Sequence, residues 1–324
     1  MKAVVLAGGY ATRLWPITKN RPKMFLPVGE LSVIDRIFEG LEADDRVDEV
    51  FVSTNERFAE DFEEHLADSP FEKPTVSVED TSGESEKFGV VGALAQLVER
   101  EGVDDDLMVI AGDNVISFDV GEFIDFFEAK GEDASALAAY DVGSKERAKS
   151  YGLVQLDGDE VTDFQEKPDD PKSTLVSIAC YAFPADVLPL LSEYLSNGNN
   201  PDEPGWFMQW LQDRRAVHAF TFDEAWFDIG TADSYLDAVA WQLDGENLVG
   251  DAARVDNTDL GENVHVMDGA SVQNSSLDRA VVFPEAVIRD CDIRNSIVDE
   301  HVELENVDFS GALLGAHTTI TNPE

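Results

Sequence analysis

The sequence predicts a chain in two parts: a doubly wound, mostly parallel α/β sheet over residues 1–244, then a small parallel β-helix over residues 245–324. Three observations carry this expectation. Short apolar, β-branched runs alternate with amphipathic helical patterns through the first ~240 residues. The first of those runs closes on a glycine turn, at the kind of place where such a sheet gathers its ligands. Beyond about residue 255 the helical pattern stops, and apolar residues recur at steps of six.

The elements follow in order. AVVLA (3–7) reads as a buried strand and VIDRIFEGL (33–41) as an amphipathic helix. EVFVST (49–54) is a strand, followed by a helix from about Glu56 to Leu66. VSV (76–78) reads as a short strand, GALAQLVER (92–100) as a helix, and LMVIAGD (107–113) as the clearest buried strand. A helix over 119–129, a strand over 135–140, paired strands near 152–156 and 160–166, and SIACYAF (177–183) continue the alternation. A helix after Pro184, another around 205–213, VHAFTF (217–222) and a helix over 231–243 complete it. Extra hairpins account for a region large for one domain of this class.

In the tail, Leu260, Val266, Val272, Leu277, Phe283, Leu314 and Ile320 mark the period, with Val264, Ala270, Ser276 and Thr318 four places after the residue that opens each unit. A hexapeptide period buries one inward side chain per face of a coil, and three hexapeptides make a coil of ~18 residues. Over ~65 residues that predicts about three to four coils. The period slips between 272 and 277 and again through 290–312, so a small irregular β-domain is the competing reading.

The chain carries 67 Asp and Glu against 23 Lys and Arg, a net charge of −44, at an ordinary hydrophobic fraction of 43%. That combination predicts a folded protein with a solvated acidic surface, adapted to a salt-rich, halophilic cytoplasm that screens its self-repulsion. An acidic mesophilic protein is the alternative. Nucleic acid and anionic lipid are excluded as partners, since both require basic patches. No stretch has the length of a membrane span, and MKAVVLAGG runs straight into a strand without a signal-peptide layout, so a cytoplasmic location is expected. Cys180 and Cys291 sit in separate apolar runs and read as buried, reduced thiols.

Against this acidity, GGYATRLWPITKNRPK (8–23) holds four basic residues and no acid, and the first carboxylate of the chain is Glu30. Acids at about a fifth of positions should place roughly six in 29 residues; chance would leave none about once in a thousand such stretches. Gly8 and Gly9 let backbone N–H groups approach an anion. Arg13 and Lys23, flanking Pro16 and Pro22, add cations to a segment free of carboxylates. The stretch is neither a P-loop nor a GxGxxG turn. A triphosphate, with about four negative charges, would be repelled by any nearby carboxylate at several kcal/mol in a poorly solvated cleft.

These residues resemble the GGxGTRLxPxTxxxPK signature of the sugar-1-phosphate nucleotidyltransferases, and GDN (112–114), FQEKP (164–168) and WFDIGT (226–231) resemble further motifs of that family in the same order. With the tail, the resemblance covers essentially the whole chain, and is greatest to archaeal glucose-1-phosphate thymidylyltransferase-like members with a C-terminal left-handed β-helix. It implies a Rossmann-like sheet and the reaction of an NTP with a sugar 1-phosphate to give an NDP-sugar and pyrophosphate. It further implies Mg²⁺ held by Asp113 and Asp228, Arg13 on the departing phosphates and Lys23 on the α-phosphate, making Arg13, Lys23 and Asp113 the catalytic group. Leu6, Ala7, Gly8, Gly9, Ala11 and Thr12 would cradle the nucleotide, with Glu84 and Gly89 beside the base. Lys167 would take the sugar phosphate, Glu166 the sugar hydroxyls, and Gly152 would let the sugar approach the backbone. Read alone, each Asp serves equally as a turn or helix cap, and a Glu-Lys pair as a solvated strand face. Ala11 stands where the signature has Gly, Glu84 where Gln is expected, and Ala179 near a common Gly.

The resulting expectation is a thymidylyl- or uridylyltransferase acting on glucose 1-phosphate, with a GDP-mannose-forming enzyme as the alternative. A non-catalytic regulatory subunit is the alternative of another class; the presence of Arg13, Lys23, Asp113, Lys167 and Asp228 argues against it. An acetyltransferase tail using His265, His301 or His317 would need a longer stack of coils. An oligomerisation or packing role is expected for the tail, within a homo-oligomer.

Overall fold

Val4, Val5, Val50, Val52, Val109 and Ile110 lie buried in three adjacent strands of a nine-stranded sheet in a computed structural model that describes residues 1–79 and 89–322. The described residues divide into two compact units, Met1–Gly9 with Arg36–Trp226 and Tyr10–Asp35 with Phe227–Glu324.

In the first unit the strand Lys2–Leu6 pairs in parallel with Glu49–Asn55 on one side and Leu107–Ala111 on the other, and Pro74–Glu79 extends the parallel edge. The sheet continues through Leu175–Phe183, Ser135–Asp141, Val217–Phe222, Glu160–Glu166 and Gly152–Asp157. Here the expectation of a mostly parallel sheet is corrected. Four of the pairings are parallel and five are antiparallel. One of the five has a local cause: Gly152–Asp157 and Glu160–Glu166 are joined by a two-residue turn with Gly158 at φ 63°, and so short a link closes only an antiparallel pair. Helices Gly89–Glu101, Leu188–Ser196 and Pro204–Gln212 supply Leu94, Leu97, Leu191, Tyr194, Phe207 and Met208 to one core with Val109, Leu137 and Phe183. Cys180 and Cys291 are both buried and unbridged, as expected. Among the described residues no helix is long and apolar enough to cross a membrane.

In the second unit, short strands stack in parallel, consistent with a β-helix. Val255, Val272, Ile288, Leu304 and Ile320 occupy equivalent positions in a five-strand ladder. Successive partners are 16 or 17 residues apart, not the ~18 of three full hexapeptides. The corners explain the difference. A residue in the left-handed region recurs every five or six positions, among them Asn257, Asn263, Asn274, Asn295 and Asn306 at φ between 46° and 56°, with Gly269 and Gly311 in the same role. Asn and Gly enter that region at low cost, so a single residue turns each corner and some faces shorten from six to five. This is why the period slips after Val272; the five strands of the ladder are four repeats apart from end to end, in line with the three to four coils expected. Helix Ala232–Leu243 packs on strands Ser276–Val282 and Asp292–Val298 of this stack. Of the tail histidines, His265 is buried, and His301 stacks flat on His317 at 4.9 Å.

Candidate active site

The glycine turn sits at the carboxyl end of the parallel strands. The Ala7 N–H donates to the Ser53 carbonyl at 2.7 Å, and Asn55 Nδ2 donates to the Gly8 carbonyl at 3.0 Å, so the turn is tied to the neighbouring strand. The Leu6 carbonyl accepts from the Gly112 N–H at 2.9 Å, which holds the turn beside the strand end that carries Asp113. A Cβ on Gly8 would lie 2.8 Å from Glu79 Oε1, whereas one on Gly9 would meet nothing within 4 Å. A Cβ on Gly8 would therefore press on a carboxylate, the movable end of the Glu79 side chain. Glu79 ends its strand, accepts from Ser53 Oγ at 3.0 Å, and stands beside a stretch whose own sequence is free of acids. The sequence reading missed it; the only available signal was its position at the carboxyl end of a strand in this class of sheet.

Asp113 follows the buried strand Leu107–Ala111. Its Oδ1 accepts from Asn114 Nδ2 at 2.8 Å, and Asn114 Oδ1 in turn accepts from the Trp226 indole N–H. Asn114 is buried, and Trp226 is packed by Tyr151 and Tyr140. The Asp113 carboxylate is thus oriented by a chain of two groups that belong to the quoted motifs but had no assigned role.

Gly152, Glu166 and Lys167 are brought together by one hairpin, where Glu166 pairs directly with Gly152. A Cβ would lie 2.8 Å from Glu166 Oε2 if placed on Gly152, and 1.6 Å from it if placed on Gly205. The carboxylate fills a slot between two glycines at the N-terminal end of helix Pro204–Gln212, and only 8% of the residue is exposed. Burial pushes its pKa up from 4.5 to about 7, with Lys167 opposing and Glu203 adding to the rise. Lys167 has left-handed backbone at φ 45°, its N–H donates to the Tyr151 carbonyl at 3.1 Å, and its Nζ pairs with Glu203. Gly205 and Glu203 were not singled out from sequence, because their part depends on a helix 40 residues away.

In the second unit Ala11 adopts φ 48°, ψ 41°, and its carbonyl accepts from Thr18 Oγ1 at 2.8 Å. The turn Thr12–Leu14 follows and presents Arg13. Lys23 opens the turn Lys23–Phe25 and is buried. Arg13 and Asp228 both flank Gly230: a Cβ there would lie 3.0 Å from Arg13 Nη2 and 3.4 Å from Asp228 Oδ1. Asp228 is not a helix cap. Thr231 caps Ala232–Leu243 in a reciprocal box with Ser234.

Glu84 lies outside the described residues. Gly89, at φ 74°, opens helix Gly89–Glu101 against the Pro201 carbonyl, which a Cβ would approach to 2.3 Å. Its own packing accounts for its being glycine. Among the described residues no three His, Cys, Asp or Glu side chains cluster as a metal cage. Asp113 in the first unit and Asp228 in the second each offer hard oxygen donors of the kind that Mg²⁺ takes.

The model of the family described as nucleotidyl transferase matches residues 2–244. A putative mannose-1-phosphate guanyltransferase of Sulfolobus acidocaldarius is 27% identical over 85% of this chain and 75% of its own length. A glucose-1-phosphate thymidylyltransferase of Streptomyces griseus is 26% identical over 99% of this chain and 94% of its own. Among solved structures, a putative glucose-1-phosphate thymidylyltransferase from Bacillus anthracis matches at a TM-score of 0.66 and 25% identity, over 75% of this chain and 95% of that one.

Proposed function

This chain belongs to the nucleotidyl transferase family, and from that premise we propose that it joins an NTP to a sugar 1-phosphate, releasing pyrophosphate. The observation that carries the reading is the slot formed by Gly152, Gly205 and Glu166 with Lys167 beside it. A buried carboxylate accepts from sugar hydroxyls, and the neighbouring lysine takes the phosphate of the same molecule.

The attacking group is an oxygen of the sugar phosphate, already ionised at neutral pH. It forms a bond to the α-phosphorus while the bond to the bridging oxygen breaks and pyrophosphate leaves. No side chain need accept a proton, in keeping with only five histidines in the chain. What the protein supplies is position and charge neutralisation. Arg13 suits the departing β,γ-phosphates with its planar fork, and Lys23 the α-phosphate. Asp113, aimed by Asn114 and Trp226, and Asp228, beside Gly230, are the residues that would hold Mg²⁺, whose chemistry there is to offset phosphate charge.

For the substrate pair we favour dTTP or UTP with glucose 1-phosphate, in line with the thymidylyltransferases similar to this chain. GTP with mannose 1-phosphate is the second reading, favoured by Glu79. A carboxylate accepts from the N1–H and N2–H₂ of guanine together, whereas thymine and uracil offer one N–H flanked by two carbonyls. Pyrophosphate release is measured with five NTPs against glucose and mannose 1-phosphates, in molar KCl with Mg²⁺. Turnover with GTP and mannose 1-phosphate alone selects the second reading. Absence of turnover with every pair removes the enzymatic reading and favours a regulatory subunit.

A further inference from the structure

Residues 10–28, which carry Arg13 and Lys23, are fastened at three points to the C-terminal part of the same compact unit. At the first, Gly315 in a turn of the coil stack lies so close to Pro16 that a Cβ would come within 2.6 Å of the proline Cβ. At the second, Arg21 Nη2 donates to Asp299 Oδ1 at 2.6 Å, its guanidinium lies 4.8 Å from the centre of the Phe283 ring, and Glu300 Oε1 stands 3.4 Å away. At the third, the hydroxyl of fully buried Tyr235, on helix Ala232–Leu243, donates to the Pro27 carbonyl at 2.7 Å.

The middle fastening differs in kind from an ordinary surface pair. The Asp299 side chain is 2% exposed, its Oδ1 also accepts from the Glu300 N–H at 2.9 Å, and its own N–H donates to the Leu314 carbonyl of the next rung. The carboxylate is therefore held in the stack by bonds that do not involve the loop. A pair with one partner buried and hydrogen-bonded fixes geometry in a way that exposed pairs do not. Only Pro22, with its restricted φ, separates Arg21 from Lys23.

We propose that the coil stack is part of the nucleotide site: Asp299 is a positioning residue that, through Arg21 and Pro22, holds Lys23 and the loop bearing Arg13 in register for the NTP. This gives the tail a task in each single chain, whatever it does in assembly. It rests on the nucleotidyltransferase reading for its kinetic consequences but not for its structural one.

The test compares the full-length chain with Asp299→Asn, Arg21→Lys and a control, Asp237→Asn. The control breaks the Asp237–Arg279 pair between helix Ala232–Leu243 and the coils, a pair that includes no residue of the loop. Amide hydrogen exchange of peptides spanning 10–26 should quicken at least tenfold in Asp299→Asn, with peptides from 265–298 unchanged. The KM for NTP should rise about tenfold, with that for sugar 1-phosphate within twofold of wild type. Arg21→Lys, which keeps the charge but loses the fork, should fall between the two, and Asp237→Asn should move neither readout. Should Asp299→Asn not fold, Arg21→Lys carries the same comparison. Unchanged exchange in 10–26, exchange quickened equally throughout the unit, or a quickened loop with both KM values unaltered would each overturn the proposal. If the wild-type chain turns over no substrate pair, the function assigned above falls, and the exchange result alone decides the role of Asp299.

Discussion

Glu166 Oε2 occupies almost the position that a Cβ on Gly205 would take, 1.6 Å away. A carboxylate that tightly enclosed is expensive to ionise, and its pKa stands at about 7. Its ionised form is the stronger acceptor of sugar hydroxyls, so the KM for sugar 1-phosphate should fall as pH rises from about 6 to 8 while the KM for NTP stays level. The stability effect has the opposite sign. Between 4.5 and about 7 the folded state binds more protons than the unfolded, so stability declines as pH rises through that window. The full shift is worth roughly 3 kcal/mol at about 1.4 kcal/mol per unit. Glu166→Gln should therefore raise Tm relative to wild type at pH 8, not at pH 4, while weakening sugar binding. A Tm difference that does not depend on pH would contradict this.

Lys167 and Glu203 form an exposed pair beside that slot. Such pairs contribute only about 0–1 kcal/mol, so an incoming phosphate displaces Glu203 easily. Lys167→Ala should raise the KM for sugar 1-phosphate and leave the nucleotide KM nearly unchanged. Glu203→Gln, by removing the competitor, should lower the same KM up to about fivefold, the equivalent of 1 kcal/mol. Equal rises in both KM values for Lys167→Ala would show that the lysine does not belong to the sugar phosphate.

Gly230 separates Arg13 from Asp228. A methyl group at 3.0 Å from Arg13 Nη2 displaces the end of a flexible side chain, which is cheap in stability but moves a guanidinium by a few tenths of an ångström. Charge-assisted hydrogen bonds contribute about 1.5–3 kcal/mol, and loss of part of one corresponds to roughly a tenfold change. Gly230→Ala should raise the KM for NTP by about that factor, with Tm little altered. A large fall in Tm with unchanged KM would assign the glycine to packing alone.

What could be read in the sequence was whatever is written locally. Apolar runs gave the strands, glycine and basic residues marked the loop, and four short motifs in order named the chemistry. Glu79, Asn114, Gly205 and Gly230 escaped because each acts on a residue far along the chain or owes its meaning to a close approach that no spacing records. Gly205 looks like an unremarkable helix residue until Glu166 is folded onto it, 39 positions away in sequence. The tail was recognised by its period yet given coils of ~18 residues. Left-handed corners at Asn, Gly and His cost one residue each, a geometric saving that hydrophobic spacing records only as slips. The antiparallel half of the sheet was concealed similarly, since a hydrophobic strand reads alike in either direction.

Ala11 adopts φ 48° where the signature has glycine. An L-residue in that region costs about 1–2 kcal/mol. Replacing it with glycine relieves the strain but adds unfolded-state freedom worth about 0.4–1 kcal/mol. The two nearly offset, with strain the larger, so Ala11→Gly should raise Tm by roughly one or two degrees. A clear fall in Tm would mean that the methyl group makes packing contacts that exceed the strain.

Salt sets two effects against each other in this chain. Arg46 shares one guanidinium among Asp44, Asp125 and Glu128 at 2.6, 2.5 and 3.1 Å, and ions weaken such pairs. Each contributes only about 0–1 kcal/mol where exposed, and Asp125 is 73% exposed. Against them stands the mutual repulsion within a net charge of −44. Raising ionic strength from 0.1 to 1 M shortens the screening length from about 10 to about 3 Å, so repulsion between distant carboxylates fades faster than attraction between touching groups. The expected outcome is that Tm rises steadily from low to molar KCl. Potassium and sodium chlorides should act alike if screening is the cause. A Tm that stays flat or falls across that range would remove salt adaptation as the reason for the acidity.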